Sequence, residues 1–237
     1  TRRTPWRRSG RYTTSSLSRT ADNHRRPDAG IMMRKMEEDD MELTAFEKLV
    51  RLNRSCRGYD ESRKVTREEL LRMVDCARLT ASSVNLQPLK YYLACDGETV
   101  GRIQPLTGWA RNLPQLKLPH EGMCPTAFIV ICQDRDVSDS LARFQKDVGI
   151  AAQTILLAAV EMGLGGCMIG NFEAGKIRDA LELPENLAPL LIVAIGKPAE
   201  KIVIKEIAPD EPTPYYRDAD GVHYVPKRRL EDIIING

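Results

Sequence analysis

The sequence predicts an α+β fold, with α/β-type alternation of helices and strands, in one domain over residues 41–237. Three observations predict it. Segments of helical period alternate with short apolar runs of strand character. The connections between them are short enough for a single domain. The chain is long enough to bury a sizeable core and shows no internal repeat.

Residues 1–40 stand apart as a basic tail. Residues 1–30 carry eight arginines against Asp22 and Asp28, a balance of +6, while the whole chain is +2 and the remainder therefore −4. The tail has no periodicity and few apolar residues, so it is expected to be disordered. One account is a start placed too early, since Met32, Met33, Met36 and Met41 follow. An Arg- and Ser-rich transit peptide is another, and a nucleic-acid arm a third. The mildly acidic remainder has no nucleic-acid footprint of its own.

From Met41 the elements follow in order. MELTAFEKLVRLNRS reads as a first helix, with Thr44 as N-cap, Glu47 three residues on, and Phe46, Leu49, Val50 and Leu52 near helical spacing. TREELLRMVDCARLT repeats the capping pattern with Thr66 and Glu69, and sets Leu70, Met73, Val74 and Ala77 on one face. KYYLAC is a strand, after which Asp96 is placed to cap a short helix. Residues 105–125 form an irregular Pro- and Gly-rich loop around Trp109, either a pocket border or a plain surface excursion. TAFIVICQ is a buried strand. RFQKDVGIAAQTILLAAVEMGLG is the longest helix, closed by Gly163. It is apolar nearly all round from Val148 to Val160, which suits a central or interface helix. GGCMIG and LAPLLIVAIGKP are strands separated by the helix EAGKIRDALEL, and PKRRLEDIIING ends the chain with a basic cluster and an apolar stretch.

Much chemistry is excluded by pattern. Asp147, Gln153 and Glu161 break the longest apolar run short of a membrane span. The six cysteines form no CxxC and sit near no histidine at ligand spacing, so neither a metal site nor a disulfide scaffold is expected. Buried, reduced cysteines fit a cytoplasmic protein. His24, His120 and His223 belong to no nucleophile or zinc pattern, and GLGGCMIG runs from helix to strand, the reverse of a dinucleotide-binding turn.

Anion and amide recognisers remain. NRSCRGYD sets Arg54, Ser55 and Arg57 at a helix end, where two guanidiniums and a hydroxyl suit a phosphate. Its plainer reading is two arginines favouring the negative helix terminus. TASSVNLQP offers Ser82, Ser83, Asn85 and Gln87, able to donate and accept toward a heterocycle, or simply to end a helix in a turn. PKRRL holds Lys227 and Arg229, alone a solvated patch.

In their order, these segments and DVGIAAQTILLAAVEMGLGGCMIGNF make residues 41–237 resemble the FMN-dependent nitroreductase family. The resemblance implies an intertwined homodimer with a central mixed sheet flanked by helices and an FMN in each of two interface sites. It implies that Arg54 and Ser55 serve the phosphate or ribityl chain, that Arg57 reaches the pyrimidine edge, and that Lys227 and Arg229 clamp the phosphate. Ser82, Ser83, Asn85 and Gln87 look like the loop offered to the other subunit's flavin. Met168, Ile169 and Gly170 look like the segment beside its reactive edge.

The sequence departs from the family pattern at Asn53, where many relatives are basic, at Leu89, often Trp, and at Gly170, Glu in one branch. Those departures bear on the substrate more than on FMN, and the first puts more of the phosphate on Arg54 and Arg229. The implied reaction is ping-pong: NADH or NADPH reduces the flavin, and a nitroaromatic, quinone or similar electron-poor acceptor reoxidises it, with no side chain as acid or base. Other flavin enzymes of the same fold (a dehydrogenase, a dehalogenase, a flavin-fragmenting enzyme) and a non-catalytic flavin binder are the alternatives.

Overall fold

A computed structural model describes residues 43–113 and 115–236. The basic tail expected over residues 1–40 lies outside the described residues. The first helix, α1 (Ala45–Leu52), starts at the capping box read from the sequence: the Glu47 amide donates to Thr44 Oγ1 at 3.2 Å, and the Thr44 amide to Glu47 Oε2 at 2.7 Å. Its apolar face is uncovered, with Phe46 64% and Leu52 68% exposed. After the two-residue β1 (Tyr59–Asp60), α2 (Arg67–Arg78) uses the same box through Thr66 and Glu69, but here Leu70 and Met73 are fully buried. The two helices share one local code and differ in what covers them.

β2 (Leu89–Ala94) and α3 (Gly97–Ile103) follow, with the Asp96 carboxylate accepting the Thr99 amide at 2.8 Å as the cap. In β3 (Ala127–Asp134), Ala127, Ile129 and Ile131 enter one core cluster, while Phe128, Val130 and Cys132 enter the other. Both faces are covered, so the strand reads as one apolar run rather than an alternation. The 17-residue α4 (Gln145–Glu161) and α2 cover the first face, and α3 and α5 (Ala174–Ala180) the second. Helix α4 ends as expected: Gly163 takes φ +71°, and the Leu164 amide returns to the Ala159 carbonyl at 2.9 Å. It keeps an uncovered stripe at Ile150 and Gln153.

The core is a five-stranded sheet organised by β5 (Leu187–Pro198). β3 pairs with one edge of β5, carrying β2 beyond it, while β4 (Gly165–Ile169) and then β1 occupy the other edge. Every ladder in this sheet is antiparallel, which corrects the expected mixed pairing. The reason is topological. β3 and β4 run parallel with α4 crossing between them, but β5 is inserted antiparallel to both. Parallel pairing occurs at the isolated Ser55–Gly166 bridge and in a small second sheet, where β8 (His223–Arg228) lies between β6 (Ile202–Ile207) and β7 (Tyr216–Arg217).

The cysteines are free thiols, and Cys56, Cys132 and Cys167 are buried. Burial pushes the thiols of Cys56 and Cys132 up to about 12, so they are inert packing groups. Among the described residues, no helix is long and apolar enough to cross a membrane.

Candidate functional site

The segment between α1 and β1 leaves its helix at Asn53 and is tied to β4: Ser55 bridges Gly166, and the Cys56 amide donates to the Gly166 carbonyl at 2.9 Å. The tie fixes Arg54, Ser55 and Arg57 beside β4, facing the small sheet. Between them lies a cleft of about 320 Å³. Its walls include Arg54, Ser55 and Arg57 from this segment, Met168 from β4, and His223 and Lys227 from β8.

The two arginines are held differently. Arg54 donates from one terminal nitrogen to the Val50 carbonyl at 2.9 Å, so the helix-end reading is correct for that part of the side chain. Its Nε is buried without a partner among the described residues, and burial lowers its pKa. Arg57 is 9% exposed. One terminal nitrogen donates to the Ser55 carbonyl at 3.2 Å, and the guanidinium stacks 4.7 Å from the centre of the Tyr215 ring. Its backbone amide donates to Glu200 Oε1 at 2.5 Å, and the Glu200 carboxylate also pairs with Arg217. Cation and aromatic thus brace each other while a buried carboxylate fixes the backbone.

His223 was not singled out from the sequence as a site residue, yet it forms part of the wall. It is 0% exposed, neither ring nitrogen has a hydrogen-bond partner among the described residues, and its ring sits 5.3 Å from that of Tyr215. Burial first, then the neighbouring Arg57, push its pKa down to about 4, so the ring is neutral at neutral pH. Counting back in twos from Lys227 along the strand HYVPKR would have found it: His223, Val225 and Lys227 share one face and all line the cleft. Tyr215 carried no comparable signal.

Other expected residues fall elsewhere. Arg229 does not line the cleft; its guanidinium is held by Asp232 at 2.9 and 3.3 Å, with Glu231 at 3.3 Å. Ile169 is buried in the core, so only its backbone is available. Gly170 is exposed, and a Cβ there would meet nothing within 4 Å. Ser82 and Ser83 are half-buried, Asn85 and Gln87 exposed, and none of the four lines this cleft within one chain. The Ser82 hydroxyl donates inward to Asp147, and Ser82 borders a separate small cleft with Tyr91 and Asp147. Trp109 packs against the second core cluster, and its Nε1 donates to Thr107 Oγ1 at 2.8 Å. No described residue of the 105–125 loop lines the cleft.

The donor set fits a phosphorylated, partly aromatic ligand. Three cationic side chains and the Ser55 hydroxyl converge with no Asp or Glu among the described lining residues, while Leu156, Met168 and Tyr215 supply apolar and aromatic wall.

Comparison with known proteins points the same way. Residues 50–197 match the family model described as "Nitroreductase family". An "FMN reductase [NAD(P)H]" of Bacillus subtilis is 27% identical over 182 residues, covering 67% of this chain and 68% of the relative. An "Oxygen-insensitive NADPH nitroreductase" of Salmonella typhimurium is 26% identical over 170 residues, covering 67% and 68%. The solved "FMN-dependent Nitroreductase" of Clostridium difficile superposes with a TM-score of 0.51 at 25% identity, over 73% of this chain and 92% of that one.

Proposed function

The chain belongs to the nitroreductase family and is an oxidoreductase of its NAD(P)H- and FMN-dependent kind; from that premise we propose that it reduces electron-poor acceptors, nitroaromatics and quinones, in alternation with NAD(P)H at the cleft between β4 and β8. The observation that carries this reading is the acid-free cluster of Arg54, Arg57 and Lys227 beside Met168. Arg54, Ser55 and Lys227 would hold the FMN phosphate and ribityl chain, and Arg57 the pyrimidine edge. When bound, the flavin supplies hydride acceptance and delivery at its N5.

The protein's own part is to orient and to set charge. Arg57, braced by Tyr215, Ser55 and Glu200, keeps a fixed positive charge where negative charge would develop, and needs no reorganisation at the moment of reaction. His223 is neutral and adds no charge to compete with it. The apolar side chains of Leu156, Met168 and Val225 give that side of the cleft an apolar wall.

Two copies complete the site in this reading. The uncovered face of α1 (Phe46, Val50, Leu52), the exposed Ile150 of α4 and the exposed Ile233–Ile235 offer the apolar surface for association. The Ser82–Gln87 loop then serves the opposite copy's flavin.

The test is the visible spectrum of purified protein after reconstitution with FMN, followed by anaerobic titration with NADH and with NADPH. Bleaching by either, reversed on adding a nitroaromatic or a quinone, is the expected result. A flavin that neither nicotinamide reduces would overturn the reductase reading, and failure to take up FMN would overturn the assignment of the cleft.

A further inference from the structure

Asp147 stands in the first turn of α4, buried, and takes no part in the cleft. Its Oδ2 accepts two hydrogen bonds from the Ser82–Gln87 loop, from the Ser82 hydroxyl at 2.6 Å and from the Ser83 amide at 2.9 Å. The Ser82 oxygen accepts the Gln87 amide at 3.0 Å, and the Gln87 side chain donates to the carbonyl and the Oδ1 of Asn85, each at 3.2 Å. A chain of bonds therefore runs from one buried carboxylate through a hydroxyl to the backbone of Gln87, whose exposed side chain is in turn bonded to Asn85.

The loop so held is under backbone strain. Val84, Asn85 and Gln87 take φ of 48°, 55° and 52°, the left-handed region that side chains with a Cβ disfavour. Val84 is β-branched and 74% exposed, so it gains no packing in return. Joining α2 to β2 requires none of this, since ordinary turn residues would serve. Strain of this kind persists where the surroundings over-determine it, and it concentrates at ligand-contacting segments.

We propose that Asp147 is a positioning residue for the cofactor: through Ser82 and Ser83 it holds Asn85 and Gln87 in the conformation that meets FMN in the opposite copy's cleft. The inference rests on the reading of that cleft as the FMN site. Both bonds are charge-assisted, and the carboxylate lies where the helix N-terminus favours negative charge. Because a single oxygen accepts both bonds, an asparagine can retain them and a leucine cannot.

The experiment compares the full-length wild type with D147N, D147L, S82A and the D147L/S82A double variant. FMN affinity is read from flavin fluorescence quenching, assembly from sedimentation, and folding from thermal melting. D147L and S82A should weaken FMN binding about tenfold, the loss of a charge-assisted bond, and D147N should stay within about threefold of wild type. The double variant should be no worse than D147L, because both changes cut one chain of bonds. A stabilising role alone would lower the melting temperature and leave FMN affinity unchanged.

S82A removes one half-buried hydroxyl and carries the test if D147L does not fold. Wild-type affinity in folded S82A, or a D147N as weak as D147L, overturns the proposal. If the wild type binds no FMN, the cofactor reading falls and the proposal with it; if the wild type binds and S82A matches it, only the role of Asp147 falls.

Discussion

The Arg57 guanidinium lies 4.7 Å from the centre of the Tyr215 ring, while the amide of the same arginine donates to Glu200. Side chain and backbone of one residue are thus fixed by two different parts of the C-terminal third. Tyr215→Ala should free the guanidinium and weaken FMN binding by the worth of a partly desolvated cation–π contact, about 1 kcal/mol or several-fold. Tyr215→Phe keeps the ring and should bind within about twofold of wild type on the same scale. Flavin fluorescence titration of both variants checks this.

Lys227 is an exposed cation in the cleft with no hydrogen-bond partner or ion pair among the described residues. If it meets the phosphate, Lys227→Met should weaken FMN binding about tenfold and leave riboflavin binding unchanged. The same variant should flatten the salt dependence of FMN affinity. Equal losses for both flavins would remove Lys227 from the phosphate.

His223 makes stability depend on pH with a definite sign. Its folded pKa, about 4, lies below the unfolded value of about 6.5. Between these values the unfolded chain binds the extra proton, so stability falls as pH drops through 6.5 and levels off near 4. The contribution is at most about 3 kcal/mol. His223→Phe should remove this part of the slope, read as the difference between wild-type and variant denaturation midpoints from pH 4 to 7.

Two glycines of the β4 region should respond oppositely to alanine. A Cβ at Gly166 would lie 2.2 Å from the Ala194 carbonyl oxygen and 2.7 Å from Leu156 Cδ2, whereas at Gly170 it meets nothing. Gly166→Ala should cost about 3 kcal/mol or more, because a backbone atom cannot give way. Gly170→Ala should stay within about 0.5 kcal/mol. Urea denaturation of the two variants distinguishes them.

The helices and strands were legible where local chemistry decides them. Thr44 with Glu47 and Thr66 with Glu69 announce helix starts, and Gly163 announces an end, because caps are satisfied within a few residues. What covers a helix is not local: α1 and α2 carry similar signals, yet only α2 is buried by its own chain. Of the candidate cleft, Arg54, Ser55, Arg57 and Lys227 were legible, because their residue types suit an anion. Tyr215, Glu200 and Arg217 were not, since their part is to brace Arg57 from more than 140 positions away in sequence. Arg229 looked equivalent to Lys227 in PKRRL, but β8 ends at Arg228 and Asp232 holds the arginine that follows it.

The bridge between Ser55 and Gly166 has a consequence for how such an enzyme can change its diet. Ser55 and Met168 hang from the same pair of backbones, so these two walls of the cleft are one rigid piece. Gly170, just past the end of β4 and with open space where a side chain would begin, can be exchanged without re-aiming that piece. If the cleft holds the flavin, substitution at Gly170 can alter what meets it one substrate at a time, whereas a change at Gly166 would disturb both walls at once.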